Sequence, residues 1–354
     1  MVARVGDAVA SSISASTKQR TRNLTEQSAN GSGSGRDTAP TDAKRLWAQL
    51  RESVGSAMVG AHEPLRLLIA ALLVSGHVLV EDVPGVGKTL LAKAFAKSLG
   101  LRFARIQGTP DLLPSDVTGS SILDGSEFRF VSGPIFSNVV LFDEINRATP
   151  RTQSALLEAM QERQVSVDGK TRPLPRPFVV LATQNPIELE GTFALPEAQL
   201  DRFLVRVELG YLEEVEERQM LRRLRGGSDD LVDEIQPVVD ADALTAISAQ
   251  VRSVLVSDDV EGYLLALVRA TREHTDIRLG ASPRSAVALY RCSQAWAALD
   301  GRAFVLPDDV RHLVGPVLAH RLVLDLDREL RGATRDAVLN QVLDATAVPL
   351  AESA

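Results

Sequence analysis

The run Pro84-Gly85-Val86-Gly87-Lys88-Thr89 carries the clearest chemical signal in this 354-residue chain. Gly85 and Gly87 permit a tight backbone path, and such a loop turns successive N–H groups toward an anion. Lys88 can reach the β- and γ-phosphates of a nucleotide, and the Thr89 hydroxyl can ligate magnesium. With Leu90, the segment is the expected phosphate cradle. The common phosphate-loop pattern has a glycine where this chain has Asp82. A second signal is Asp143-Glu144, at the end of the apolar run 139–142. Asp143 suits a magnesium shell, and Glu144 suits a base that polarises water for in-line attack on a γ-phosphate. A third is Asn185, which follows the apolar run 178–182. Its amide can orient that water or contact the phosphate, although Asn185-Pro186 is also a turn signal.

These side chains need strands and helices to hold them. Residues 77–80 read as a short buried strand before the glycine-rich turn, and 88–99 as a helix after it. Residues 103–106, 139–142, 178–182 and 203–209 are four further apolar runs. Such runs between helical stretches mark a parallel sheet covered on both faces. An α/β domain is therefore expected over 41–209. Upstream, Leu46, Leu50, Val54 and Met58 recur at helical spacing. After Gly210 the strands are expected to stop, and residues 210–350 read as a small all-α domain. Ser257 and Ser282 stand as N-caps there. Residues 1–40, rich in Ser, Gly and Thr, read as a disordered tail.

The chain has 39 Lys+Arg against 46 Asp+Glu, a net charge of −7, with 45% hydrophobic residues. That mix excludes a fibrous or wholly disordered protein. The acidic balance argues against tight, non-specific nucleic-acid binding. Cys292 is the single cysteine, so no internal disulfide can form, in keeping with a reducing, cytoplasmic setting. No apolar run approaches the ~18 residues of a transmembrane helix.

Longer runs carry a resemblance. They are Glu81-Asp82-Val83-Pro84-Gly85-Val86-Gly87-Lys88-Thr89, Gly108-Thr109-Pro110-Asp111-Leu112-Leu113-Pro114, Asp143-Glu144-Ile145-Asn146-Arg147-Ala148, Ala182-Thr183-Gln184-Asn185-Pro186-Ile187-Glu188, Leu195-Pro196-Glu197-Ala198-Gln199-Leu200-Asp201-Arg202-Phe203 and Ser282-Pro283-Arg284. In this order they resemble the AAA+ ATPases and, in their wording, the MoxR family. The resemblance implies a five-stranded parallel P-loop sheet flanked by helices and followed by a helical lid. It implies an enzyme that binds ATP and Mg2+ and hydrolyses ATP to ADP and phosphate. Arg202 matches the arginine finger that reaches a neighbouring subunit's ATP. Arg284 matches the second sensor, projecting from the lid to the phosphates. Val59 and Gly60 match the adenine-pocket segment, with Ala61 where the family often has Gln. The implied partners are other copies in a hexameric ring, a protein carrying a von Willebrand factor A domain, and a protein client under assembly, maturation or metal-cofactor insertion.

Two stretches resemble the inserts of this clade. Residues 121–134 contain the hairpin-turn signal Asp124-Gly125, and 164–170 contain Asp168-Gly169. Both are candidate client contacts, or plain edge hairpins. Other readings stand beside the remodeller. One is a nucleic-acid motor, for which Lys170 and Arg172 lie on the second hairpin; another is the ATPase subunit of a metal chelatase.

Overall fold

The computed structural model describes residues 41–185, 191–224 and 231–349. The tail expected over 1–40 lies outside these residues, as do Pro186, Ile187 and Glu188 of the run after Asn185 and position 350.

The apolar runs become five parallel strands. They are β1 (Val78–Glu81), β2 (Phe103–Gln107), β5 (Val139–Asp143), β8 (Val179–Gln184) and β9 (Val205–Val207). Their spatial order is β2-β5-β8-β1-β9, with every neighbouring pair parallel. Alternate residues of each strand feed two separate cores. Val78, Val80, Val139, Leu141, Val179 and Leu181 pack on one face. Leu79, Val140, Phe142, Val180 and Ala182 pack on the other. Both faces are covered, which is why the strands read as unbroken apolar runs.

On the first face lie α1 (Thr41–Ala57), α2 (His62–Leu73) and α3 (Lys88–Ser98). In α1, Leu46, Leu50 and Val54 form the buried stripe, while α2 buries nine of its twelve residues. The short α4 (Pro114–Thr118) leads into an antiparallel hairpin, β3 (Gly119–Asp124) with β4 (Glu127–Ser132). On the second face lies α5 (Pro150–Glu162), followed by the hairpin β6 (Gln164–Val167) with β7 (Lys170–Pro173). Both Asp-Gly turns fall where the sequence puts them. Arg172 stacks its guanidinium 3.9 Å from the centre of the Phe130 ring, so the two hairpins are joined and Arg172 is not a free cation.

The short α6 (Glu197–Leu200) precedes β9. Beyond Gly210 come α7 (Glu214–Leu224), α8 (Ala241–Val251), α9 (Asp258–Glu273), α10 (Pro283–Leu299), α11 (Pro307–Leu318), α12 (Leu326–Leu330) and α13 (Arg335–Ala345). Ser257 and Ser282 do cap their helices, accepting the N–H groups of Val260 and Ser285. One expectation is corrected: strands do not stop at Gly210. β10 (Ile277–Leu279) pairs antiparallel with β11 (Val323–Leu324). Strands of three and two residues are too short to leave a period-two signature. Of the helices beyond Gly210, α8 to α11 and α13 share the first core with α1 to α3. Arg66 of α2 lies 3.8 Å over the Trp296 ring of α10 and pairs with Asp300.

Candidate active site

β1, β8 and β5 are neighbours, so the segments leaving their C-terminal ends lie side by side. They carry Lys88-Thr89, Asn185 and Asp143-Glu144 respectively. Gly85 and Gly87 both adopt positive φ, at 88° and 94°, and Gly87 is the residue from which α3 starts. The backbone that wraps a phosphate and opens a helix there is therefore one that side-chain-bearing residues resist. Lys88 Nζ donates to the carbonyl oxygens of Asp82 (2.9 Å) and Val83 (3.2 Å).

Asp82, unexpected at its position, has a structural task. It is only 8% exposed. One carboxylate oxygen accepts the N–H of Val83 at 2.8 Å. The other accepts those of Leu209 (2.6 Å) and Gly210 (2.9 Å). The base of the phosphate loop is thereby tied to the point where the chain leaves the sheet.

A cleft of about 490 Å³ opens beside the loop. Val59, Pro84, Gly85, Val86, Gly87 and Leu90, all expected at a nucleotide, line it. Gly60 lies in an adjoining pocket with Glu216 and Arg223 instead. It adopts φ 76°, and a Cβ there would collide with Leu212. Tyr211, Leu212 and Met220 also line the cleft. Sequence reasoning missed them, because an apolar wall supplied by a later segment, a loop and the helix after it, leaves no local motif.

The carboxylate pair is held by partners that no motif disclosed. The Thr183 hydroxyl donates to Asp143 Oδ1 at 2.6 Å and accepts the Glu144 N–H at 2.8 Å. Arg105 on β2 pairs with Asp143 Oδ2 at 2.7 Å. Gln107, also on β2, donates its amide to Glu144 Oε2 at 2.9 Å, and Arg147 approaches the same oxygen at 3.3 Å. Glu144 sits in the left-handed region, φ 58° and ψ 53°, a strained backbone for a residue with a side chain. Gly108 follows β2 and meets the Glu144 carbonyl so closely that a Cβ has no room. Asn185 is buried.

The Thr89 hydroxyl and the Asp143 carboxylate are hard oxygen donors. They fit Mg2+, which takes one or two protein oxygens and fills its shell from phosphates and water. Among the described residues, no group of three or more His, Cys, Asp or Glu could cage a metal.

Arg202 and Arg284 lie elsewhere. Both line a pocket with Gly76 and His77, which precede β1, so they flank the N-terminal end of the strand whose C-terminal end bears the phosphate loop. The expectation that Arg284 projects to the phosphates is thus not met at the cleft of its own chain. Asp201 does not neutralise Arg202: it pairs with buried Arg321 at 2.9 Å and accepts the Ser282 hydroxyl at 3.1 Å. Arg202 and Arg284 have no ion pair among the described residues. Arg321 escaped sequence reasoning, because its partner is more than a hundred residues away.

Comparison with known proteins agrees with this layout. Residues 77–205 match the ATPase family associated with various cellular activities, and 269–342 match an AAA lid domain. The chain is 45% identical to YeaC of Bacillus subtilis, an uncharacterized protein, over 88% of this chain and 98% of that one. It is 41% identical to chaperone MoxR1 of Mycobacterium tuberculosis, over 82% and 79% respectively. The crystal structure of a protein from Cytophaga hutchinsonii, assigned as an ATPase, superposes with a TM-score of 0.82 at 36% identity, covering 88% of this chain and 97% of that one. Matched by the ATPase and lid models in that order, and over most of its length by a MoxR chaperone, the chain belongs to the MoxR family of AAA+ ATPases.

Proposed function

We propose that this protein hydrolyses Mg-ATP to ADP and phosphate as a ring of identical copies, and uses that cycle to remodel protein clients. One observation carries the reading: Thr183 joins Asp143 to the Glu144 backbone at a strand end beside the phosphate loop. Lys88 and the loop N–H groups hold the phosphates, while Val59 and Leu90 lie toward the base, with Gly60 behind them against Leu212. Thr89 and Asp143 would hold magnesium, which when bound offsets charge on the β- and γ-phosphate oxygens. Glu144 takes a proton from the attacking water, and Asn185 orients it.

Arg202 and Arg284 point to assembly. They share a pocket at the far end of β1, so the phosphates they serve belong to a neighbouring copy. A head-to-tail contact of this kind builds a ring where its rotation closes, and a closed ring of six copies is the expectation that the family brings. The working division remains a sheet domain, 41–209, and a lid, 210–350, meeting at Leu209-Gly210. A chaperone-like role follows the name of the MoxR1 relative. Client assembly or metal-cofactor insertion, a von Willebrand factor A partner and a cytoplasmic setting belong to the same proposal. Among the described residues, no helix is long and apolar enough to cross a membrane.

Steady-state ATPase of mixed variants tests it. Arg202→Ala and Glu144→Gln should each be nearly inactive alone. Mixed, they should recover activity where a Glu144→Gln copy lends Arg202 to an Arg202→Ala copy. Full activity of Arg202→Ala alone, or no recovery in rings shown to be mixed, would overturn the assignment in trans.

A further inference from the structure

Four arginines from four different elements gather on the same side of the molecule as Arg202. Arg163 ends α5 with φ 53°, Arg176 lies between β7 and β8, Arg252 ends α8, and Arg291 sits on α10. Arg163, Arg252 and Arg291 line one pocket of about 430 Å³ together with Ser75, Tyr290 and Gln294. None of the four arginines has an ion-pair partner among the described residues. What sets them apart is their mutual proximity, since three of them line a single pocket. Elsewhere Arg105, Arg206, Arg302 and Arg321 are each matched to a carboxylate.

The pocket is also organised in advance. Arg163 donates to the Ser75 carbonyl at 2.9 Å, which fixes its guanidinium on the wall. Burial, then the nearby charges of Arg176, Arg252 and Arg291, push that guanidinium below its usual pKa. Like charges drawn together without a counter-ion cost energy, and an anion with several charges removes that cost while accepting charge-assisted hydrogen bonds. Guanidinium forks match phosphate oxygens in particular. The volume is close to the 490 Å³ of the cleft at the phosphate loop and within the usual range for small-molecule pockets.

We propose that this arginine pocket is a second anion site, which takes the linked phosphates of a small polyphosphate, either free or as a nucleotide's tail. Arg291, Val74 and Ser75 line this pocket and the Arg202–Arg284 pocket alike. An anion held here therefore lies against the wall that the two pockets share, and Arg202 and Arg284 do not line its own pocket.

The test is calorimetric titration of pyrophosphate into full-length Lys88→Ala protein, whose phosphate loop has lost its cation. One site should remain. Arg252→Gln and Arg291→Gln, at exposed positions, should each weaken it roughly tenfold, the size of one lost charged hydrogen bond. Arg202→Gln should change it by less than about twofold on the same scale. ATP titrated in the same way separates a nucleotide tail from free polyphosphate, and either one with this arginine dependence bears the site out. No pyrophosphate binding by Lys88→Ala overturns the proposal. So does binding that Arg202→Gln abolishes and Arg252→Gln leaves intact, which would assign it to the other pocket. Neither result depends on ring formation.

Discussion

Lys88 and Glu144 fail in different ways when replaced. The Lys88 ammonium is the positive side chain of the phosphate loop and rests on two loop carbonyls. Lys88→Ala should weaken ATP binding by roughly 10²-fold, the range for losing charged hydrogen bonds. Glu144→Gln keeps its size, its backbone and a group that Gln107 can reach. It should bind ATP like the wild type and hydrolyse it about 10²–10⁴ times more slowly, the usual contribution of a positioned base. Fluorescent-nucleotide titration and single-turnover hydrolysis separate the two; equal turnover in wild type and Glu144→Gln would remove Glu144 from the base role. The loop, the acidic pair and Asn185 were legible because each is written in consecutive residues. Thr183, Arg105 and Gln107 were not, because they act across strands and no local pattern encodes a cross-strand partner.

At the scale of elements, Asp82 shows why a motif mismatch can mislead. Read as a list of residue types, it is a missing glycine. In the fold it is a buried acceptor for three N–H groups, joining β1 to the exit of β9. Asp82→Ala leaves three donors unsatisfied and should cost about 3 kcal/mol. Asp82→Asn retains one acceptor and should cost about half as much on that basis. Restoring the common residue with Asp82→Gly should destabilise as well. Urea unfolding measures all three; an Asp82→Gly protein as stable as wild type would contradict the account. The strands and hairpins were legible from apolar runs and Asp-Gly turns. The β10–β11 ladder was not, since its pairing is decided by helices that bring 277–279 and 323–324 together.

The whole molecule should be sensitive to acid. His77 is fully buried, accepting the Val180 N–H at Nδ1 with Nε2 beside the Met160 carbonyl. Burial lowers its pKa from 6.5 to about 4. Burial and Arg321 lower that of His320 well below its usual value. Below pH 6.5 the unfolded chain binds protons that these folded sites refuse, so their stability is full above 6.5 and is lost as pH falls toward 4. With two such sites the slope should be roughly 2–3 kcal/mol per pH unit. His312 acts in the opposite sense: its hydrogen bond to Glu63 raises its pKa, and that contribution fades as pH rises through the raised value. Chemical unfolding between pH 4 and 9 should show a maximum near neutrality; a flat profile from 6.5 to 5 would sink the histidine argument.

The opposite placement of the phosphate loop and Arg202 along β1, a four-residue strand spanning only ~13 Å, has a consequence for mixed populations. In the proposed ring, a copy carrying both Glu144→Gln and Arg202→Ala should spoil two clefts, its own and the one it should complete. In randomly mixed rings the remaining activity then follows the square of the wild-type fraction, so an equal mixture keeps about a quarter of the rate. In a cell a faulty copy therefore does more harm than its own loss, because it also disables the sound neighbour that it should complete. ATPase measured against mixing ratio should trace that curve, and a straight line would mean that each copy works alone.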